Sequence, residues 1–203
     1  MMRDFMPILT FDANSLSPSF GYLFDRQWLD PYESIVSILW KFARANGIPG
    51  HEVTVAAARQ VIDPYVGLEA HREAIDFRRL QRELGISRKT LREATIPARR
   101  RTAIAAHFRY CAPCLGRGYH SPVHQFESVQ RCPIHDQRLH SACRRCGYSA
   151  LYRLNALFLE TPFICSACRL PYGTQWPSVI FRSRMPMKDL VSITRIRIAR
   201  CLC

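Results

Sequence analysis

Seven of the nine cysteines fall between positions 111 and 168, and none precedes position 111. Six of them form C-x-x-C pairs, Cys111/Cys114, Cys143/Cys146 and Cys165/Cys168. The seventh opens a C-x-x-H pair, Cys132/His135, and the four pairs are separated by 17, 7 and 18 residues. A C-x-x-C turn places two thiolates near two corners of a tetrahedron, the geometry in which Zn²⁺ takes four N/S ligands. A gap of roughly 15–20 residues between such turns is a zinc-site spacing, and here it occurs twice. The eight donors predict two structural Zn²⁺ ions. Sequential pairing gives a Cys₃His set (Cys111, Cys114, Cys132, His135) and a Cys₄ set (Cys143, Cys146, Cys165, Cys168). Interleaved pairing uses the same eight residues but closes longer loops, at a modest entropic cost, so the sequential arrangement is favoured.

Two other readings of the thiols are weaker. A disulfide framework needs an oxidising compartment, and the opening Met1-Met2-Arg3-Asp4-Phe5 lacks the apolar stretch of a signal peptide. Redox chemistry at one C-x-x-C does not account for three such pairs and a C-x-x-H. Of the neighbouring histidines, His120, His124 and His140 are read as surface or hydrogen-bonded groups, with His124 the stand-in if His135 is not a ligand. Cys201 and Cys203 read as free thiols on a frayed tail. Four protein ligands per ion leave no open coordination position, so these are structural rather than catalytic sites. The chain also lacks H-E-x-x-H, G-x-S-x-G and the phosphate-binding G-x-x-x-x-G-K-[ST]. It is read as a non-enzyme.

The 203 residues carry 29 basic and 16 acidic side chains, a formal charge of +13, and only three of the basic residues are Lys. A balance this basic points to a polyanionic partner, most often nucleic acid, with DNA the expected partner here. No apolar run approaches 18 residues, so no membrane span is expected, and the location is read as cytoplasmic and nucleoid-associated.

The metal pairs need elements to hold them, and the fold class predicted is mainly α with small zinc-stapled β elements. Residues 1–29 read as an irregular extension, with a short strand over 5–11 and a turn over 14–19. Residues 30–97 read as a helical, helix-turn-helix-like domain. Asp30-Pro31-Tyr32-Glu33 carries helix-start chemistry. Ile35, Ile38, Leu39 and Phe42 follow at helical spacing, and Gly47 caps the end. A second helix is predicted over 51–62, and weak helix over 65–74. Residues 76–84 and 88–94 form two helices around a Gly85-Ile86-Ser87 turn, with Leu80, Leu84, Ile86 and Leu91 as the buried seam. In a DNA reader the second of these enters the major groove, which makes Arg78, Arg79, Arg88, Lys89 and Arg92 candidate contacts. Residues 98–109 read as a basic linker, where Arg99, Arg100 and Arg101 could grip phosphates. Residues 110–172 are the tandem zinc-finger region, and 173–203 a basic tail.

The pieces together resemble the TniQ/TnsD family. Tyr32 to Leu39, with the helix ending Ala43-Arg44-Ala45-Asn46-Gly47, is similar to that family's opening helix. Tyr110-Cys111-Ala112-Pro113-Cys114-Leu115 resembles its first knuckle. His124-Gln125, Cys132-Pro133-Ile134-His135 and Cys143-Arg144-Arg145-Cys146-Gly147 resemble its central block, and Cys165-Ser166-Ala167-Cys168 its close. The resemblance spans about residues 28–172. It implies a helix-turn-helix followed by Cys₃His and Cys₄ fingers. It also implies a non-catalytic transposition factor that links target choice to an AAA+ ATPase, and through it to the transposase. Such a factor meets DNA and, in some systems, a guide-RNA effector complex. Long members add a further helical region, so this chain resembles the short members. The competing expectation is a helix-turn-helix transcriptional regulator in which zinc is only a staple.

Overall fold

A computed structural model of the protein describes residues 22–173 and 184–199. The expected strand over 5–11, the turn over 14–19 and the thiols of Cys201 and Cys203 lie outside the described residues. The described chain is mainly helical, with one two-stranded sheet.

Helix α1, Ile35–Asn46, is the axis of the fold. It starts four residues later than Pro31 at the first helical position would set it. Tyr32 sits at φ 58°, which breaks the helix, and Ser34 becomes the cap by accepting the Ser37 N–H. Glu33 still reaches back to the Asp30 N–H, as the capping spacing implied, but outside the helix. Every residue from Ile35 to Ala43 is buried, so α1 is covered on all sides. Gly47, at φ 62°, ends it as expected.

Helix α2, Gly50–Ala57, stops five residues short of the predicted end. Its last turn gives way to bridge pairing between Ala58 and Ile75. Residues 65–74 are not the weak helix expected. They hold strand β1, Leu68–Glu69, and a 3₁₀ turn, Arg72–Ala74. Helices α3, Phe77–Leu84, and α4, Arg88–Glu93, flank Gly85 at φ 63°, with Asp76 and Ser87 as their caps. Leu80, Leu84, Ile86 and Leu91 are all buried between them and their neighbours.

Beyond α4, residues Ala98–Ala103 form a 3₁₀ turn. Phe108, Arg109 and Tyr110 then run into the interior. Helix α5, Ala112–Gly116, strand β2, Arg153–Leu154, and helix α6, Ala156–Leu159, belong to the cysteine-rich half. β2 pairs antiparallel with β1, Leu68 facing Leu154, so the sheet joins the two halves rather than lying in either. Elsewhere β pairing is reduced to single bridges, such as His107 with Leu151 and Tyr110 with His140. Helix α7, Met187–Ala199, falls within the basic tail and packs on the cysteine-rich half through Leu190 and Ile196, with Ile193 buried.

One hydrophobic cluster runs through both halves. Trp40 of α1 sits 5.5 Å from Phe108, 4.9 Å from Phe158 and 5.0 Å from Phe163, ring centre to ring centre. Its indole N–H donates to the Phe158 carbonyl. Such aromatic packing contributes on the order of 1 kcal/mol per pair beyond area burial. The cysteine knuckles are therefore held against the helices by a shared core.

Candidate metal centres

Three of the four knuckles are built on one backbone turn. In each, the N–H of the first ligand donates to the carbonyl five residues on, and the N–H four residues on donates back. The pairs are Cys132 with Gln137 and Asp136, Cys143 with Tyr148 and Gly147, and Cys165 with Leu170 and Arg169. The fifth residue of each turn is left-handed: Asp136 at φ 49°, Gly147 at 75° and Arg169 at 59°. The turn leaves the first thiol and the side chain three residues on pointing to the same side. The fourth knuckle differs: Cys111 is the residue before α5 and Cys114 lies in it, so a helical turn sets their spacing.

The four knuckles combine in sequence. Cys111, Cys114, Cys132 and His135 form one cluster and Cys143, Cys146, Cys165 and Cys168 the other, with the donor atoms of each set within 4.8 Å of one another. In the first, His135 Nδ1 lies 3.4 Å from Cys111 Sγ, 3.3 Å from Cys114 Sγ and 3.7 Å from Cys132 Sγ. The Cys114 and Cys132 sulfurs are 3.7 Å apart. In the second, Cys143 to Cys168 is 3.8 Å and Cys146 to Cys165 is 3.7 Å. Disulfide sulfurs would be about 2 Å apart. A tetrahedral ion with bonds of about 2.3 Å to sulfur separates its sulfurs by about 3.8 Å. The donor sets fit two metal ions, one in each cluster.

Packed this closely, the thiols have unequal proton affinities. At Cys111 the hydrogen bond with Cys114 lowers the pKa. The contact with Cys132, burial and the Cys132 charge outweigh it and push the thiol to about 12. Cys132 is driven far the other way, first by its hydrogen bonds with Cys111 and Cys114. Burial raises Cys165 to about 12, whereas backbone N–H groups overcome burial at Cys143 and lower it to about 7. Each cluster divides unequal proton affinities among near-identical thiols. A dication makes thiolate favourable at every position.

The first centre is the better enclosed. Cys111, Cys114 and Cys132 are buried, and Met185 and α7 cover the cluster around them. In the second, Cys146 is exposed and Cys168 half-buried. His124 is fully buried with Nε2 3.6 Å from Cys132 Sγ, beside the first cluster but outside its four-donor set. His120 is buried as well. Its Nδ1 meets Ser34 Oγ at 2.7 Å and its Nε2 the Arg109 carbonyl at 2.9 Å, which ties the cap of α1 to the knuckle region. Burial, and then the nearby His124, hold its pKa well below the ordinary value.

The candidate nucleic-acid residues are scattered in what they do. Arg78, Arg88, Lys89, Arg92 and Arg99 are exposed. Arg79 donates to the Val55 carbonyl. Arg100 is half-buried, and Arg101 belongs to the 3₁₀ turn. Sequence reasoning missed two arginines. Arg109 was read as linker, yet it is buried and donates to the Phe126 and Val129 carbonyls. Arg197 was read as tail, yet it is buried, donates to the Glu93 carbonyl and lies 4.3 Å over the Tyr32 ring. No local periodicity marks either; both answer to carbonyls far away in sequence. Among the described residues, no helix is long and apolar enough to cross a membrane. No protein-family model matches the chain, and no curated protein matches it.

Proposed function

We propose that the protein is a non-catalytic accessory factor of DNA transposition that couples target choice to an AAA+ ATPase, with both clusters holding structural Zn²⁺. The observation that carries this reading is the sequential pairing of a Cys₃His and a Cys₄ cluster behind paired helices, the arrangement that the TniQ/TnsD resemblance implies. Four protein donors per cluster suit a structural ion. The shared core around Trp40 makes helices and knuckles one scaffold, and a rigid scaffold can meet two partners without a large ordering cost. The exposed Arg78, Arg88, Lys89 and Arg92 on α3 and α4 suit an ATPase assembled on DNA.

One observation favours the regulator reading. α4 is capped by Ser87 and presents Arg88, Lys89 and Arg92 outward, as a recognition helix would. Against it, α4 has only six residues and its end is clasped by Arg197. Co-sedimentation of the protein with any AAA+ ATPase encoded near its gene, with ATP and DNA present, tests the adaptor. Binding that requires the ATPase, and transposition lost on deletion of the gene, is the expected result. A protein that ignores the ATPase and shifts one promoter fragment alone is a regulator.

A further inference from the structure

The Cys₄ lobe carries a basic surface separate from the helices just discussed. Residues 137–173 contain five arginines and one acid, Glu160. That acid is turned away, since its carboxylate accepts the Gly50 N–H of α2. Arg138, Arg144, Arg145 and Arg169 are all exposed. Among the described residues, none of them forms an ion pair. Several arginines elsewhere are already engaged: Arg82 with Glu83, Arg131 with Asp136, Arg79 with a carbonyl.

These cations have a fixed arrangement. Arg144 and Arg145 are the two residues between the ligands Cys143 and Cys146. The turn that carries them is closed by hydrogen bonds from Cys143 to Tyr148 and from Gly147 to Cys143. Arg138 lies on the strand-like approach to the turn, bridged to Arg131, two residues before His140 pairs with Tyr110. Arg138 and Arg144 lie two residues before and four after His140, and after burial their charges lower its pKa. Tyr148, 45% exposed, stands at the base of the turn, and Leu151 is 50% exposed just beyond it. An aromatic ring beside unpaired cations on a rigid turn matches single-stranded nucleic acid, whose phosphates need charge and whose unstacked bases need a flat apolar surface.

Charge compensation of the metal is the competing explanation. A Zn²⁺ ion with four thiolates carries a net −2, which two cations offset. The four exposed arginines exceed that need.

We propose that the Cys₄ knuckle turn is a binding surface for single-stranded nucleic acid, with Arg138, Arg144 and Arg145 on phosphates and Tyr148 stacked on a base. The probe is a fluorescent oligothymidylate, titrated with the full-length protein at several salt concentrations. Three variants are compared: Arg138→Ala/Arg144→Ala/Arg145→Ala, Tyr148→Ala and Tyr148→Phe. The triple variant should reduce the salt slope by about 2, at about 0.7 per single-strand phosphate contact. Tyr148→Ala should weaken binding about tenfold, and Tyr148→Phe should restore it. Both effects should leave the metal content unchanged. A photoreactive thymidine analogue in the oligonucleotide should crosslink to the peptide containing Tyr148. Several results would overturn the proposal: an unchanged salt slope in the triple variant, loss of metal from it, or a duplex bound as tightly as the single strand with Tyr148 silent. Polyglutamate competing as well as the oligonucleotide would also overturn it, because the surface would then select only negative charge. These results do not depend on the ATPase, so failure here and failure of the adaptor reading are separately visible.

Discussion

Removing Lys41 should cost more than removing Lys41 and the charge of its partner together. Lys41 Nζ lies 2.5 Å from Glu33 Oε1, with the two side chains 0% and 1% exposed. Lys41 also donates to the Trp28 carbonyl, while Glu33 accepts from the Ser37 hydroxyl and the Asp30 N–H. The pair fastens the approach to α1 onto the helix itself. Lys41→Met leaves the Glu33 carboxylate buried beside neutral donors, and an uncompensated buried charge costs about 3–5 kcal/mol. In Glu33→Gln/Lys41→Met both charges are gone, the amide keeps hydrogen-bonding capacity and Met fills the lysine volume. That variant should lie within about 1 kcal/mol of the parent, so the second substitution should recover about 3 kcal/mol of what Lys41→Met alone loses. With a urea m-value of about 2 kcal/mol/M, the single variant should lose about 2 M in midpoint and the double variant about 0.5 M. Urea titrations followed by tryptophan fluorescence, with metal in excess, measure all members of the cycle. A Lys41→Met protein that keeps its helical content and loses less than about 0.5 M would refute the argument.

Other substitutions probe the joins between the halves. A Cβ at Gly50 would stand 2.1 Å from the Ala156 carbonyl oxygen and 2.6 Å from the Glu160 nitrogen, so Gly50→Ala must push α2 off α6. A loss of about 2–3 kcal/mol is expected in the same titration. Arg197→Ala removes a charged donor to the Glu93 carbonyl and a cation over Tyr32. Together these are worth about 3 kcal/mol, and hydrogen exchange across 187–199 should rise while that across α1 stays slow. His120 stays neutral when folded because burial lowers its pKa, so below its ordinary value of 6.5 the unfolded chain binds more protons. Stability should therefore fall as pH drops below 6.5, by at most about 1.4 kcal/mol per unit from this group. His120→Gln should flatten that dependence in urea midpoints taken at stepped pH.

The eight clustered Cys and His residues were legible because their chemistry is local: a knuckle is four residues long and its spacing is written in the chain. The α3–α4 seam, the Gly85-Ile86-Ser87 turn and the Gly47 cap were legible for the same reason. The start of α1 was not, because Asp30, Pro31 and Glu33 carry cap chemistry that the left-handed Tyr32 interrupts. Two of the three left-handed knuckle positions are occupied by Asp136 and Arg169 rather than glycine, so residue type alone did not mark the turn. Arg109 and Arg197 read as linker and tail because arginine in a basic segment resembles solvated charge. Their burial depends on the Phe126, Val129 and Glu93 carbonyls, contacts that only the tertiary fold supplies.

The central claim is that eight side chains form two filled, independent metal centres in sequential order. Native mass spectrometry of the intact protein tests it most directly, with Cys111→Ser and Cys165→Ser measured alongside. The account predicts two zinc ions in the parent and one in each variant. It also predicts that the ion lost from Cys111→Ser is the one held under α7, so exchange protection there falls in that variant alone. Folded parent protein with one ion or none, or the loss of both ions on either single substitution, would contradict it.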